Sequence, residues 1–258
     1  MTKLTFLGTG TSQGVPMISC HCYVCSSDDP HDQRLRSSVL IEYKGLTLVV
    51  DSGPDFRQQM LREKVDWLDG ILFTHNHKDH IAGLDDVRAY NYTQDRAMDV
   101  YAEPYVIDTL KNEFSYAFAE QKYPGVPEIN LHGIGEEPFR IGDAEIIPIR
   151  GYHLHLPVLG FRFGNIAYLT DMNRIEDGEL EKIKGVEVLV INALRREKHL
   201  SHFCLEEAVA IIDQVRPKRA YLTHLSHQMG RHAEIENELT DQHIYYAYDG
   251  LKIEIDDE

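Results

Sequence analysis

No apolar run in the 258-residue chain approaches the ~20 residues that a membrane-spanning helix requires, which excludes a helical membrane protein. The opening stretch, Met1–Gly8, meets a glycine before a signal-peptide core can build, so a cytoplasmic location is expected. Basic side chains are scarce: 26 Lys and Arg stand against 42 Asp and Glu, a net charge of −16. A long polyanion would meet an unfavourable field, so nucleic acid is not the expected partner. A small anionic substrate is still allowed, because bound cations reverse the sign locally. Cysteine is scarce too, and three of the four are crowded into Cys20-His21-Cys22-Tyr23-Val24-Cys25. In a cytoplasmic chain such a cluster favours a metal site over a disulfide framework, and its thiolates suit tetrahedral zinc. Lone Cys204 reads as a small buried residue. No Pro- or Gly-rich linker and no repeat divides the chain, so residues 1–258 are expected to form one domain.

Apolar residues make up 43% of the chain, enough for a sizeable core. Period-2 and fully apolar runs place strands at Lys3–Leu7, Ser38–Tyr43, Leu46–Asp51, Gly70–Thr74, Val100–Ala102, Phe139–Ile149, Gly160–Leu169, Val186–Ile191 and Ala220–Thr223. A final hairpin, Ile244–Tyr248 with Lys252–Ile255, is expected across Asp249-Gly250, followed by a solvated tail, Asp256-Asp257-Glu258. Helices are expected at Phe56–Lys64, Ile81–Tyr92, Pro104–Phe118, Glu179–Lys184 and Leu205–Val215, and an irregular loop over 119–137. Gly8–Gly14 is rich in glycine but no helix follows it. It reads as a tight turn that brings backbone near a site and not as a phosphate cradle. Sheets at the centre with helices outside fit the pattern, an α/β (α+β) architecture.

The densest chemistry lies in Thr74-His75-Asn76-His77-Lys78-Asp79-His80, directly after the apolar strand Gly70–Phe73. Further candidates follow strands in the same way: His153, Asp171 and His224. Imidazole nitrogen and carboxylate oxygen suit zinc, manganese or iron and not calcium. His75, His77, Asp79, His80, His153, Asp171 and His224 are too many for one four-coordinate ion. They suit two divalent cations sharing a carboxylate bridge, zinc or manganese, an arrangement able to clamp both oxygens of a phosphoryl transfer.

His75-x-His77-x-Asp79-His80, with His153, Asp171 and His224 behind it, resembles the metallo-β-lactamase fold over nearly the whole chain. The resemblance implies a four-layer αββα sandwich with a dinuclear site at one edge. By it, His75, His77 and His153 bind the first metal, Asp79, His80 and His224 the second, and Asp171 bridges. His155 is a rival for His153. Asp51 matches an aspartate that orders the histidine loop without binding metal. Gly8-Thr9-Gly10-Thr11-Ser12, followed by Cys20-x-Cys22-x-x-Cys25, is similar to the PhnP-type cyclic phosphate phosphodiesterases. That group implies a separate structural zinc on Cys20, Cys22, Cys25 and His227, although spacing alone leaves His21 and His31 open. His202, ahead of the Leu205–Val215 helix, matches a histidine thought to protonate the leaving group.

The expected function is therefore hydrolysis of a small or cyclic phosphate ester by hydroxide generated at a dinuclear centre. Asp79, Asp171 and His202 are the expected catalytic residues. The alternatives are a tRNase Z-like RNA endonuclease and a non-hydrolytic PqqB-like zinc protein. A homodimer is expected by analogy with similar enzymes.

Overall fold

The computed structural model describes residues 1–256; the tail expectation falls on Asp257 and Glu258, which lie outside them. The first half of the chain supplies β1 (Thr2–Gly8), β2 (Ser38–Tyr43), β3 (Leu46–Val50), β4 (Gly70–Leu72), β5 (Met98–Ala102) and β6 (Ile129–Gly133). The second half supplies β7 (Phe139–Ile141), β8 (Ala144–His153), β9 (Leu156–Phe163), β10 (Ile166–Tyr168), β11 (Arg174–Ile175), β12 (Val188–Asn192), β13 (Arg219–Thr223) and β14 (Ile244–Tyr246). β15 (Lys252–Ile255) returns to the first sheet, whose order is β15-β1-β2-β3-β4-β5-β6. The second sheet runs β11-β8-β9-β10-β12-β13-β14, with β7 paired to β8.

Side chains on a strand alternate between faces, and here both faces are buried. Leu48 and Val50 of β3 join Val188 and Val190 of β12, with Phe6, Phe161 and Tyr168, in a core between the sheets. Val49, between Leu48 and Val50, packs outward with Ile71 and Val100 against the helices Phe56–Glu63 and Pro104–Glu113. Leu189 and Ile191 pack outward on the other side against Ala208, Ile211, Ile212 and Val215 of the helix Leu205–Val215. Helix, sheet, sheet and helix are thus four layers, the expected αββα sandwich.

Several elements differ from expectation. The final hairpin does not form. β14 adds in parallel to β13, and β15 pairs antiparallel with β1, so Asp249-Gly250 crosses between the sheets. Burial dictates this: Ile244 belongs to the outer helical core and Ile253 and Ile255 to the inter-sheet core. The helix expected at Ile81–Tyr92 starts earlier and breaks, as Lys78–Ile81, a 3-10 turn Leu84–Val87, and Arg88–Gln94. Gly83 sits at the break because a Cβ there would lie 2.1 Å from the Gly53 carbonyl oxygen. The helix expected to Phe118 likewise breaks at Phe114, leaving Pro104–Glu113 and Ser115–Phe118. The runs at 139–149 and 160–169 are each two strands, turning at Gly142 and Gly164, both with positive φ. The loop expected over 119–137 contains edge strand β6, whose half-exposed pattern gives little periodic signal. β11, two residues long, and a short helix, His232–Ile235, went unanticipated.

Candidate metal centre

The histidine motif is anchored before it reaches the site. Asp51, wholly buried at the end of β3, accepts hydrogen bonds from the Thr74 amide at 2.9 Å and the Thr74 hydroxyl at 2.8 Å. Its Oδ2 also lies 2.7 Å from His80 Nδ1. Asp51 is therefore the buried anchor of the loop. The Thr74 carbonyl accepts from the Leu159 amide of β9 at 3.0 Å, so the motif is tied to both sheets. A Cβ on Gly53 would lie 2.0 Å from the Asp79 carbonyl oxygen, so only glycine lets the segment after Asp51 close on the motif.

Three of the residues that shape the site hold left-handed backbone without being glycine: Asp51 (φ 67°), Asp171 (φ 57°) and His224 (φ 56°). Each follows a strand, and each such position costs on the order of 1 kcal/mol, strain that clusters at functional sites.

Asp171, 2% exposed, is the centre of the arrangement. Its Oδ2 lies 3.3 Å from His80 Nε2 and 3.1 Å from His224 Nδ1, and its Oδ1 4.0 Å from His202 Nδ1. Asp79 Oδ2 lies 3.2 Å from the same His80 Nε2. Ring centroids of His75 and His77 are 4.6 Å apart, His77 and His153 5.1 Å, and His153 and His202 4.5 Å. His155 is exposed, which leaves His153 as the member of this pair inside the site. Two groups bring their ligand atoms within 4.8 Å of one another: His75, His80 and Asp171, and His153, Asp171 and His202. Asp171 belongs to both. This partition cuts across the expected ligand sets, since His77, Asp79 and His224 belong to neither group and His202 belongs to one.

The buried nitrogens test whether metals fit. His75 Nε2, His80 Nε2, His153 Nδ1, His202 Nδ1 and His224 Nε2 are all buried without a hydrogen-bond partner. Buried polar atoms are nearly always paired, and five orphaned imidazole nitrogens around one carboxylate make a ligand set for cations. The electrostatics agree. Burial alone would raise Asp171, yet His224 and His80 outweigh it and hold the carboxyl well below the usual range. Burial also opposes a proton on His80, but Asp171, Asp79 and Asp51 push it well above an ordinary histidine. A dication on the free side of His80 would supply the positive charge that this field demands. Burial lowers His75 and His153, which favours the neutral form that a ligand must have.

A second cluster joins the N-terminal loop to the segment after β13. The Sγ atoms of Cys20, Cys22 and Cys25 lie 3.4, 3.3 and 3.4 Å from His227 Nδ1. One ring nitrogen cannot hydrogen-bond three sulfurs, so this is the geometry of ligands around a shared ion. The Cys25 amide donates to Cys22 Sγ at 3.4 Å, and this bond leads in lowering the Cys22 thiol to about 6. Burial pushes Cys25 up to about 11, a thiol that a dication would deprotonate. His21 is exposed, and His31 pairs with Asp29 and stacks on His232, so neither joins the cluster.

The Gly8–Gly14 loop packs as a turn against this region. The Leu225 amide donates to the Thr9 carbonyl at 2.8 Å, and Asp249 Oδ1 accepts from the Thr9 amide and hydroxyl. Ser37, unnoticed in the sequence, donates to the Gly10 carbonyl and lies 3.0 Å from His224 Nδ1. Arg195 and Arg196 face outward, to Gln228 and Glu238. Cys204 is buried at the start of the helix Leu205–Val215, where its amide donates to Glu207 Oε2.

Two packed sheets with a histidine–aspartate centre at their edge define a class. Residues 47–225 match the family model described as a beta-lactamase superfamily domain, and the chain belongs to the metallo-β-lactamase superfamily. Within it, the chain is similar to a solved diphosphatase of the PhnP family, at 39% identity and TM-score 0.91 over 99% of this chain and 98% of that one. An octanoyltransferase of Porphyromonas gingivalis is 42% identical over 99% of this chain. A ribonuclease Z of Thermococcus onnurineus is 28% identical over 63% of this chain. The chain spans about half the length of these two curated relatives, 52% and 47%. No helix among the described residues is long and apolar enough to cross a membrane.

Proposed function

We propose that the chain is a metal-dependent phosphodiesterase that hydrolyses a small or cyclic phosphate ester. The observation that carries this reading is Asp171, one buried carboxylate shared by two groups of histidines whose free nitrogens have no partner. His75, His77, Asp79, His80, His153, Asp171 and His224 would hold two divalent cations, zinc or manganese. Such cations supply a nucleophile at neutral pH and neutralise charge on the phosphoryl oxygens. Asp51 holds His80 and Thr74 in place for this.

His202 is assigned to the leaving oxygen. It is 9% exposed and lies beside His153 and His224. Burial, then the neighbouring His224, lowers it to about 3, so the imidazole is neutral at pH 7 in the free protein. A phosphate anion beside it acts in the opposite direction. Proton donation therefore requires that His202 gain its proton in the substrate complex, and kcat should fall as pH rises through that pKa.

The diphosphatase similarity favours a second reading, in which the same centre cleaves a phosphoanhydride. An RNA substrate is disfavoured by the net charge of −16. The octanoyltransferase has about half its length outside the match and gives no reason for acyl transfer here.

The test is a panel assayed with zinc- or manganese-reconstituted protein. It comprises bis-p-nitrophenyl phosphate, a ribose cyclic phosphate, a dinucleotide with an internal diphosphate, precursor tRNA and an octanoyl thioester. Turnover of bis-p-nitrophenyl phosphate and the ribose cyclic phosphate is expected. Metal-loaded protein inert towards both of them would sink the reading, and cleavage of the dinucleotide alone would favour the second. His202→Ala should slow a poor-leaving-group ester about 10²-fold with both metals retained. Loss of a metal instead would make His202 a ligand, as its grouping with His153 and Asp171 allows.

A further inference from the structure

The turn that carries Asp171 is also a junction of three segments. The Met172 amide donates to Asn192 Oδ1, and its carbonyl accepts from Asn192 Nδ2, both at 2.9 Å. That carbonyl also accepts from the Phe203 amide at 2.8 Å, and the Asn173 amide donates to the Tyr152 carbonyl at 2.9 Å. The Asn173 side chain then reaches in two directions. Its Oδ1 accepts from the Leu154 amide at 2.8 Å, and its Nδ2 donates to the Leu200 carbonyl at 3.1 Å. Both partners are backbone atoms of fixed polarity, so the orientation of the amide is set by them.

Leu154 follows His153 directly, and Leu200 stands two residues before His202. Leu154 holds φ 58°, a left-handed position that a leucine does not adopt freely. In that turn its amide donates to Asn173 Oδ1, while the His153–Leu156 pair closes the β8–β9 ladder below it. One carboxamide thus ties the turn carrying His153 to the loop carrying His202, two residues beyond the Asp171 that groups with both. The His153 and His202 ring centroids are 4.5 Å apart.

We propose that Asn173 is a positioning residue, which sets the spacing of His153 and His202 about Asp171. The His202 half of this rests on the phosphodiester reading above; the His153 half rests only on metal binding. A displacement of about 1 Å at a reacting group can cost 10²-fold in rate. Partners that orient metal ligands typically carry 10–100-fold in affinity.

Two substitutions separate the halves. Asn173→Asp keeps an acceptor for the Leu154 amide but has no donor for the Leu200 carbonyl, so it should free the His202 loop alone. Asn173→Ala loses both bonds. Each reconstituted variant is assayed on bis-p-nitrophenyl phosphate, whose leaving group needs little protonation, and on an alkyl phosphodiester, whose leaving group needs it. Metal affinity is measured by manganese titration followed by electron paramagnetic resonance, and folding by thermal melts. Asn173→Asp should slow the alkyl ester at least about tenfold more than the activated one, with manganese affinity kept. Asn173→Ala should in addition weaken manganese binding about 10–100-fold. Equal slowing of both esters by folded Asn173→Asp would overturn the link to His202. Unchanged manganese affinity in folded Asn173→Ala would overturn the link to His153. Wild-type protein that binds manganese but cleaves neither ester would defeat the phosphodiester reading, and the titration would still decide the His153 half. If Asn173→Ala fails to fold, Asn173→Ser is titrated in its place, and wild-type affinity there overturns the His153 link equally.

Discussion

Asp171→Ala is expected to abolish phosphodiester hydrolysis while the fold survives. The carboxylate is the one group common to both clusters of ligand atoms. Losing it should cost the reaction at least ~4 kcal/mol of barrier, about 10³-fold in rate. Part of any effect of alanine comes from the backbone. Asp171 sits at φ 57°, where aspartate and asparagine are tolerated and alanine costs on the order of 1 kcal/mol. Asp171→Asn keeps the size and the backbone preference and removes only charge and one ligand oxygen. It should therefore match the alanine variant in lost rate while melting nearer the wild type. His77→Ala, at the start of the Lys78–Ile81 helix and half-buried, should lose activity with a smaller effect on stability. Rates, metal content by elemental analysis and thermal melts check the set. An Asp171→Asn protein with two catalytic metals and wild-type turnover would remove Asp171 from the centre of the mechanism.

The candidate ligands stood out in the sequence because metal chemistry draws on few residue types. Histidine and aspartate at strand ends have few reasons to cluster, and the structure brings His75 with His80, and His153 with His202, to Asp171. What fixes them was not legible. Thr74, Ser37, Asn173 and Asn192 act through hydroxyls and amides that are common in any sequence, and most of their partners are backbone atoms that only the tertiary fold brings near. The same limit explains the missing hairpin. Asp249-Gly250 is a local turn signal, but the partners of the flanking strands are set by which core their apolar residues enter. Asp249 instead anchors the glycine-rich loop through Thr9 and the Leu35 amide, a contact 240 and 214 residues distant in sequence. The layered architecture, by contrast, followed from fully apolar strands such as Val188–Ile191, whose two buried faces require a layer on each side.

Cys22→Ser should remove one zinc per chain and loosen the link between the two ends of the molecule. A serine hydroxyl is not ionised at neutral pH and does not replace a thiolate on zinc. Without the ion, three thiols would share a small space whose charges are already in conflict: Cys22 is lowered to about 6, led by the Cys25 amide, while burial raises Cys25 to about 11. The cluster packs only Val15 and Val24 among wholly apolar side chains, with Met17 half-buried beside them, so little core stands behind it. Polar contacts remain, chiefly Arg231 donating to the Tyr23 carbonyl. An ion held there would act as a cross-link between the Cys20–Cys25 loop and His227. Its loss should cost about 3 kcal/mol, as for a native cross-link. For a chain of this size that corresponds to a melting point lower by roughly 6–12 °C. The effect should reach the catalytic centre through the chain itself, because His227 lies three residues beyond His224, and the Leu225 and Ser226 amides bond to the Thr9 and Leu194 carbonyls. A severalfold loss of hydrolysis is expected, far smaller than for Asp171→Ala. Elemental analysis and melts of the variant beside the wild type decide it. Zinc content and melting temperature both unchanged would show that the three cysteines hold no ion in the folded protein.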